Sequence, residues 1–168
     1  MQYAQSNALL VYAGTFSDLT PLNPLAALQV NEVLGGIEDA TATIIILEIE
    51  KDAEKLKAIG AELMAADGMI CLDFCTSSTA FLFTNTGALN KWVARFDKQL
   101  AQNGTGYLVG SSLTVADLKA FTFFSWFTDG AFPPIPGEWI LSFSNIAAFQ
   151  AKVAAHPKIV EYYTTHKD

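Results

Sequence analysis

The 168-residue chain predicts an all-α helical bundle. Three observations carry this. Apolar residues recur at steps of three and four through most of the chain, the period of a helix with one buried face. The breaks between these patterns are helix caps and Gly/Pro turns rather than hairpin signals. Residues 115–127 are apolar nearly all round, the pattern of a helix in the middle of a bundle. Hydrophobic residues make up 51% and charged residues 16%, so one domain of this length has ample material for a core.

A short apolar helix is expected over residues 6–13, with Ser6 able to cap it. Gly, Ser, Asp, Thr and Pro crowd residues 14–23, which read as a loop. Asn23-Pro24 then starts a long helix, an Asn cap followed by Pro at the first helical position. Its stripe is read through Leu25, Leu28, Val33 and Ile37. Gly35-Gly36 weakens it by about 1 kcal/mol per Gly relative to Ala, and is expected to let another backbone approach. Residues 41–49 are β-branched and alone would suit a strand. Their first part is assigned to the helix because no turn signal interrupts the stripe.

A charged amphipathic helix is expected over residues 52–66, burying Leu56, Ile59 and Leu63 and ended by Asp67-Gly68. Residues 69–87 are the least regular. Leu89, Val93, Phe96 and Leu100 mark a clear helix over residues 88–102, closed by the turn Asn103-Gly104-Thr105-Gly106. Thr114-Val115-Ala116-Asp117 has the form of a capping box before the apolar helix of Leu118, Phe121, Phe124 and Trp126. The aromatic cluster there reads as core. Residues 133–137 form a rigid Pro-rich loop. One further helix runs from Ser144 or Asn145 to His156-Pro157, and a short one follows over residues 158–163.

Several function classes are disfavoured. The net charge of −7 repels phosphate backbones, so nucleic acid is not an expected partner. No apolar run reaches the roughly 20 residues needed to span a bilayer, and the start lacks a basic n-region. Cys71 and Cys75, four apart, read as two buried thiols. A metal site would need two more ligands nearby, and none stands close in sequence. Reduced thiols without a signal peptide point to the cytosol.

Three motifs then resemble one family. Residues 107–117, Tyr-Leu-Val-Gly-Ser-Ser-Leu-Thr-Val-Ala-Asp, resemble the G-x-x-[ST]-x-A-D stretch of glutathione transferase C-terminal domains. Ala154-Ala155-His156-Pro157-Lys158-Ile159 with Tyr162-Tyr163 resembles the end of the same domain. Gln5-Ser6-Asn7-Ala8-Leu9-Leu10-Val11-Tyr12 resembles the [QE]-S-x-A-I-x-R-Y motif that closes the family's thioredoxin-like domain, with Val11 in place of the usual Arg. The likeness is to sigma-like transferases.

The resemblance implies a division. Residues 1–14 would be the end of a thioredoxin-like domain, and 24–168 the C-terminal helical domain. It implies that Gln5 and Ser6 bind the γ-glutamyl end of glutathione, where a hydroxyl and a helix N-terminus suit a carboxylate. It implies that Asp39 reaches the γ-glutamyl amine across a homodimer interface, a charge-assisted pairing. Thr114 and Asp117 would be structural. No cofactor is implied; glutathione is the co-substrate, and the second substrate is a small hydrophobic electrophile in a pocket walled in part by residues 39–43. The residue that activates the thiol belongs to the thioredoxin-like half, so no catalytic residue is assigned in this chain, which is expected to be truncated and weak or inactive alone. Residues 69–86 depart from the family pattern and read as an insertion or a gene-model error. The competing reading is a non-catalytic interaction module, as in elongation-factor subunits; a crystallin-like structural protein is a third.

Overall fold

The computed structural model describes residues 4–65 and 87–166. Among these it has nine helices and no strand. They are α1 (Ser6–Gly14), α2 (Pro24–Ile44), α3 (Ile46–Ile49), α4 (Ala53–Met64), α5 (Ala88–Asn103), α6 (Val115–Thr128), α7 (Gly137–Leu141), α8 (Ser144–Ala154) and α9 (Pro157–Thr165). The predicted all-α bundle is therefore observed. Cys71, Cys75, the Asp67-Gly68 stop and the departure over 69–86 lie outside the described residues.

α2 starts as its sequence dictates. The Asn23 side-chain oxygen accepts from the N–H groups of Leu25 and Ala26 at 2.9 and 3.1 Å. Its buried stripe differs from the expected one. It runs through Val30, Val33, Ile37, Ala40 and Ile44, with Ala26 packed at its start. Leu25 and Leu28 are exposed. At about 100° per residue, Leu25 lies roughly 100° and Leu28 roughly 160° round the helix from Ala26. The expected stripe mixed two phases of the same helix, and contact with α5 and α6 selected one.

The expectation for Gly35-Gly36 is also corrected. A Cβ on Gly36 would lie 2.9 Å from the Trp92 ring and 3.4 Å from Phe96, so this glycine admits two α5 rings, not a backbone; Gly35 has nothing within 4 Å. Close backbone approaches occur at Gly60 in α4, where a Cβ would meet the Pro134 carbonyl oxygen at 2.5 Å, and at Gly137 in α7, where one would meet Thr128 Cα at 3.0 Å.

The β-branched stretch is helical to Ile44 and resumes as α3. Thr41 and Thr43 donate their hydroxyls to the Ile37 and Ala40 carbonyls, while Ile44 and Leu47 are buried. Packing thus overrides a local strand preference. α4 is capped by Asp52, which accepts from Glu54 and Lys55 N–H groups. α5 buries the four predicted residues Leu89, Val93, Phe96 and Leu100, and ends at Gly104 with φ 66°.

α6 is the central helix. It packs on α2, α7 and α8, and Phe123, Phe124 and Phe127 are almost fully buried. Phe124 meets Phe96 of α5 and Phe149 of α8 edge-on, with ring centroids 6.1 and 6.2 Å apart. Of the aromatic cluster read as core, Phe123, Phe124 and Phe127 are core, whereas Phe121 is half-buried and Trp126 is exposed. α7 was not anticipated; it directly follows the Pro-rich loop and buries Ile140. α8 is capped from a distance: Asp97 of α5 accepts from the N–H groups of Asn145 and Ile146 and from the Asn145 amide. α9 begins at Pro157 after His156, close to the predicted bounds, with no buried residue.

Candidate functional site

The N-terminal end of α1 carries the residues that the sequence motif selects. Gln5 stands at its N-cap position with φ 74° and ψ 99°, and its side chain makes no cap bond. A non-glycine residue at positive φ is costly, by about 1–3 kcal/mol, and such positions cluster at functional sites. Ser6 does not cap the helix, contrary to expectation. As the first helical residue, it turns its hydroxyl toward α2 and donates to Glu38 Oε1 at 3.5 Å. Asn7 donates its amide to the Leu34 carbonyl at 3.4 Å.

α2 and α6 complete the constellation. Lys119 of α6 donates to Asn7 Oδ1 and to Glu38 Oε1, so Ser6 and Lys119 share one carboxylate oxygen. The Lys119 side chain is 20% exposed and that of Glu38 49%. These polar groups border a groove of about 450 Å³ between α1, α2 and α6, walled by Leu10, Ile37, Leu118, Phe123 and Trp126. Thr41 and Thr122 also face it. Both hydroxyls are committed as donors to carbonyls of their own helices, at 2.7 and 3.1 Å. The groove is therefore apolar with one polar end, the form of a pocket for a small hydrophobic ligand. A second groove of about 660 Å³ lies on the far side of Trp126, between α3, α4 and the Pro133-Pro134 loop, and holds none of the sequence-selected residues.

Asp39 is exposed. It does not line the groove, where its neighbour Glu38 does. The structure thus joins Ser6 to Glu38 and leaves Asp39 facing outward. Glu38, Asn7 and Lys119 were missed from the sequence. The available signal was Lys119, the one basic residue in a mostly apolar helix.

Thr114 and Asp117 stand at the start of the same helix, within two turns of Lys119, and are structural. The capping box forms in both directions. Asp117 accepts from the Thr114 N–H at 2.8 Å, the Thr114 hydroxyl at 2.7 Å and the Leu108 N–H at 2.8 Å. Burial raises its carboxyl above the usual range, opposed by the bonds from Leu108 and Thr114. Among the described residues no helix is long and apolar enough to cross a membrane, and no cluster of three or more His, Cys, Asp or Glu could hold a metal.

Comparisons with known proteins bear on this arrangement. Residues 80–166 match the family model "Glutathione S-transferase, C-terminal domain". That span contains the Thr114–Asp117 box and the His156-Pro157 segment; Gln5, Ser6 and Asp39 precede it. The fold is similar to prostaglandin synthase D of Nilaparvata lugens, at 19% identity and a TM-score of 0.72, covering 100% of this chain and 71% of that one. It is similar to the glutathione S-transferase of Ascaris lumbricoides, at 21% identity and a TM-score of 0.70, covering 99% and 70%. The Necator americanus glutathione S-transferase Na-GST-3 matches at 21% identity and a TM-score of 0.66, covering 99% and 70%. At these identities the likeness is one of fold. No curated protein sequence matches the chain. The family model spans more than half of the sequence and agrees with the all-helical fold and the capping box, so the chain belongs to the glutathione S-transferase C-terminal domain family.

Proposed function

We propose that this chain is the glutathione-gripping and electrophile-binding part of a transferase that conjugates glutathione to small hydrophobic electrophiles. Gln5 and Ser6 take the γ-glutamyl end of the tripeptide. The apolar groove beside them takes the electrophile. Asp39, from the other copy in a homodimer, meets the γ-glutamyl ammonium. The observation that carries the reading is the place of Ser6: its hydroxyl stands at the polar end of an apolar groove of about 450 Å³. The positive φ of Gln5 supports it, since that backbone is held against its own preference. The outward position of Asp39 suits a group that pairs with a ligand held by another copy.

On this reading residues 1–14 belong structurally with a thioredoxin-like unit and 24–168 form the helical domain. α1 supports it. The helix is apolar nearly all round, yet among the described residues only one side packs on α2 and α6. The chain supplies binding and not activation of the thiol, so its turnover with a generic aromatic electrophile is expected to be negligible.

Titration with glutathione, followed by amide NMR, tests the reading. Shifts are expected at Gln5, Ser6 and Asn7. Ser6→Ala removes a hydrogen bond to a charged group, worth about 1.5–3 kcal/mol, and should weaken binding roughly 10- to 100-fold. Unchanged affinity in Ser6→Ala would sink the assignment, and turnover at ordinary enzymatic rates would overturn the division of labour.

A further inference from the structure

Lys119 has no part in the motif that selects Gln5 and Ser6, yet it controls the charge beside them. It is the one basic residue on α6, and its side chain is mostly covered. Lysine seldom occupies such a position without a partner. Here the ammonium bridges two helices, donating to Asn7 of α1 and Glu38 of α2. The Glu38 oxygen that accepts from Lys119 is the one facing the Ser6 hydroxyl at 3.5 Å.

That geometry has a consequence for an anionic ligand. A carboxylate accepting from Ser6 arrives within a few ångströms of Glu38. Two carboxylates at that range repel, and at a partly covered site water screens them incompletely. Lys119 supplies the balancing charge. It also gives Glu38 a second donor, so the Ser6 hydroxyl can turn away without leaving that oxygen bare. We infer that Lys119 is a positioning residue of the glutathione site, which neutralises Glu38 so that the Ser6 hydroxyl can donate to the carboxylate of a ligand. The inference rests on the reading that Ser6 binds the γ-glutamyl carboxylate.

The experiment is a double-mutant cycle on the full chain, read as glutathione affinity by NMR titration. Lys119→Met should weaken binding at least tenfold, about 1.4 kcal/mol. Lys119→Arg should keep most of the affinity. Glu38→Gln placed on Lys119→Met should recover it, because the unbalanced charge is gone. An analogue lacking the γ-glutamyl carboxylate (4-aminobutyryl-Cys-Gly) should not distinguish wild type from Lys119→Met. A Lys119 acting only as a tether between α1 and α2 would behave otherwise: the double variant would stay weak, and the analogue would lose affinity too. Either result overturns the inference. Wild type that binds glutathione no better than Lys119→Met also overturns it and leaves the Ser6 reading standing. Wild type that binds no glutathione removes the Ser6 reading, and the inference falls with it.

Discussion

α1 and α6 are both apolar nearly all round, and they pack against each other. Their surroundings differ. α6 is enclosed by α2, α7 and α8, and its Phe124 has no exposed surface. α1 has α2 and α6 on one side, while Leu9 and Tyr12 on its other side are 45% and 64% exposed. Phe16, just past its end, is 74% exposed and stacks edge-on against Tyr12. An all-round apolar helix pattern states a demand for burial on all sides. In α6 the bundle meets most of it, leaving Trp126 37% exposed between the two grooves; in α1 the described residues meet half of it. The polar ends differ in the same sense. The α6 box is closed on itself and buried, whereas the start of α1 holds Gln5 at positive φ and an exposed Ser6. One end is closed on itself and the other is exposed.

The largest expected effect sharpens this contrast. Phe124→Ala should cost about 3–5 kcal/mol by leaving a cavity among packed rings. Tyr12→Ser, on an exposed helix face, should stay within about 0.5 kcal/mol. Urea denaturation of both variants measures the difference. Similar losses would show that the outer face of α1 is covered in solution.

Asp117→Asn comes next. The amide can accept at one oxygen only, which leaves a buried N–H from Leu108 or Thr114 unmatched, at about 1–3 kcal/mol. It should also change the pH profile. The Asp117 carboxyl is raised on folding by burial, so the folded state holds its proton to higher pH than the unfolded state does. Its favourable contribution is full below the unfolded value near 4 and is lost as pH rises through the raised folded value. Melting temperatures across that acidic window should therefore fall more with rising pH in wild type than in Asp117→Asn. Parallel curves would contradict the raised carboxyl.

The smallest effect concerns the open end. At Gln5, φ 74° strains any residue with a Cβ. Gln5→Gly should be more stable than Gln5→Ala by about 1 kcal/mol, despite the greater freedom of glycine in the unfolded chain. The reverse order would show that the positive φ is not maintained in solution.

Legibility in the sequence followed the range of the interaction. The Asn23 cap and the Thr114–Asp117 box were readable because each is closed within four residues. The buried stripe of α5 was readable because only one set of apolar positions fits the helical period. α2 has two candidate sets, and its sequence did not say which faces inward. The same ambiguity decided the acid: Glu38 and Asp39 differ by about 100° round the helix, so helix phase alone brings Glu38 to Ser6. α7 has five residues, too few for a period to show. Lys119 reaches Asn7 and Glu38 across 112 and 81 positions, and no local pattern announces such contacts.

The sequence by itself determined that this chain is helical, where most helices start and stop, and that α6 lies at the centre. Those follow from caps, turns and periodicity, which act within a few residues. Tertiary structure decided the phase of α2, the use of Gly36 and Gly60, the Asp97 cap on α8, and the group of Ser6, Asn7, Glu38 and Lys119 at the mouth of the groove. Each of these depends on which helix packs beside which, and that choice belongs to the core as a whole.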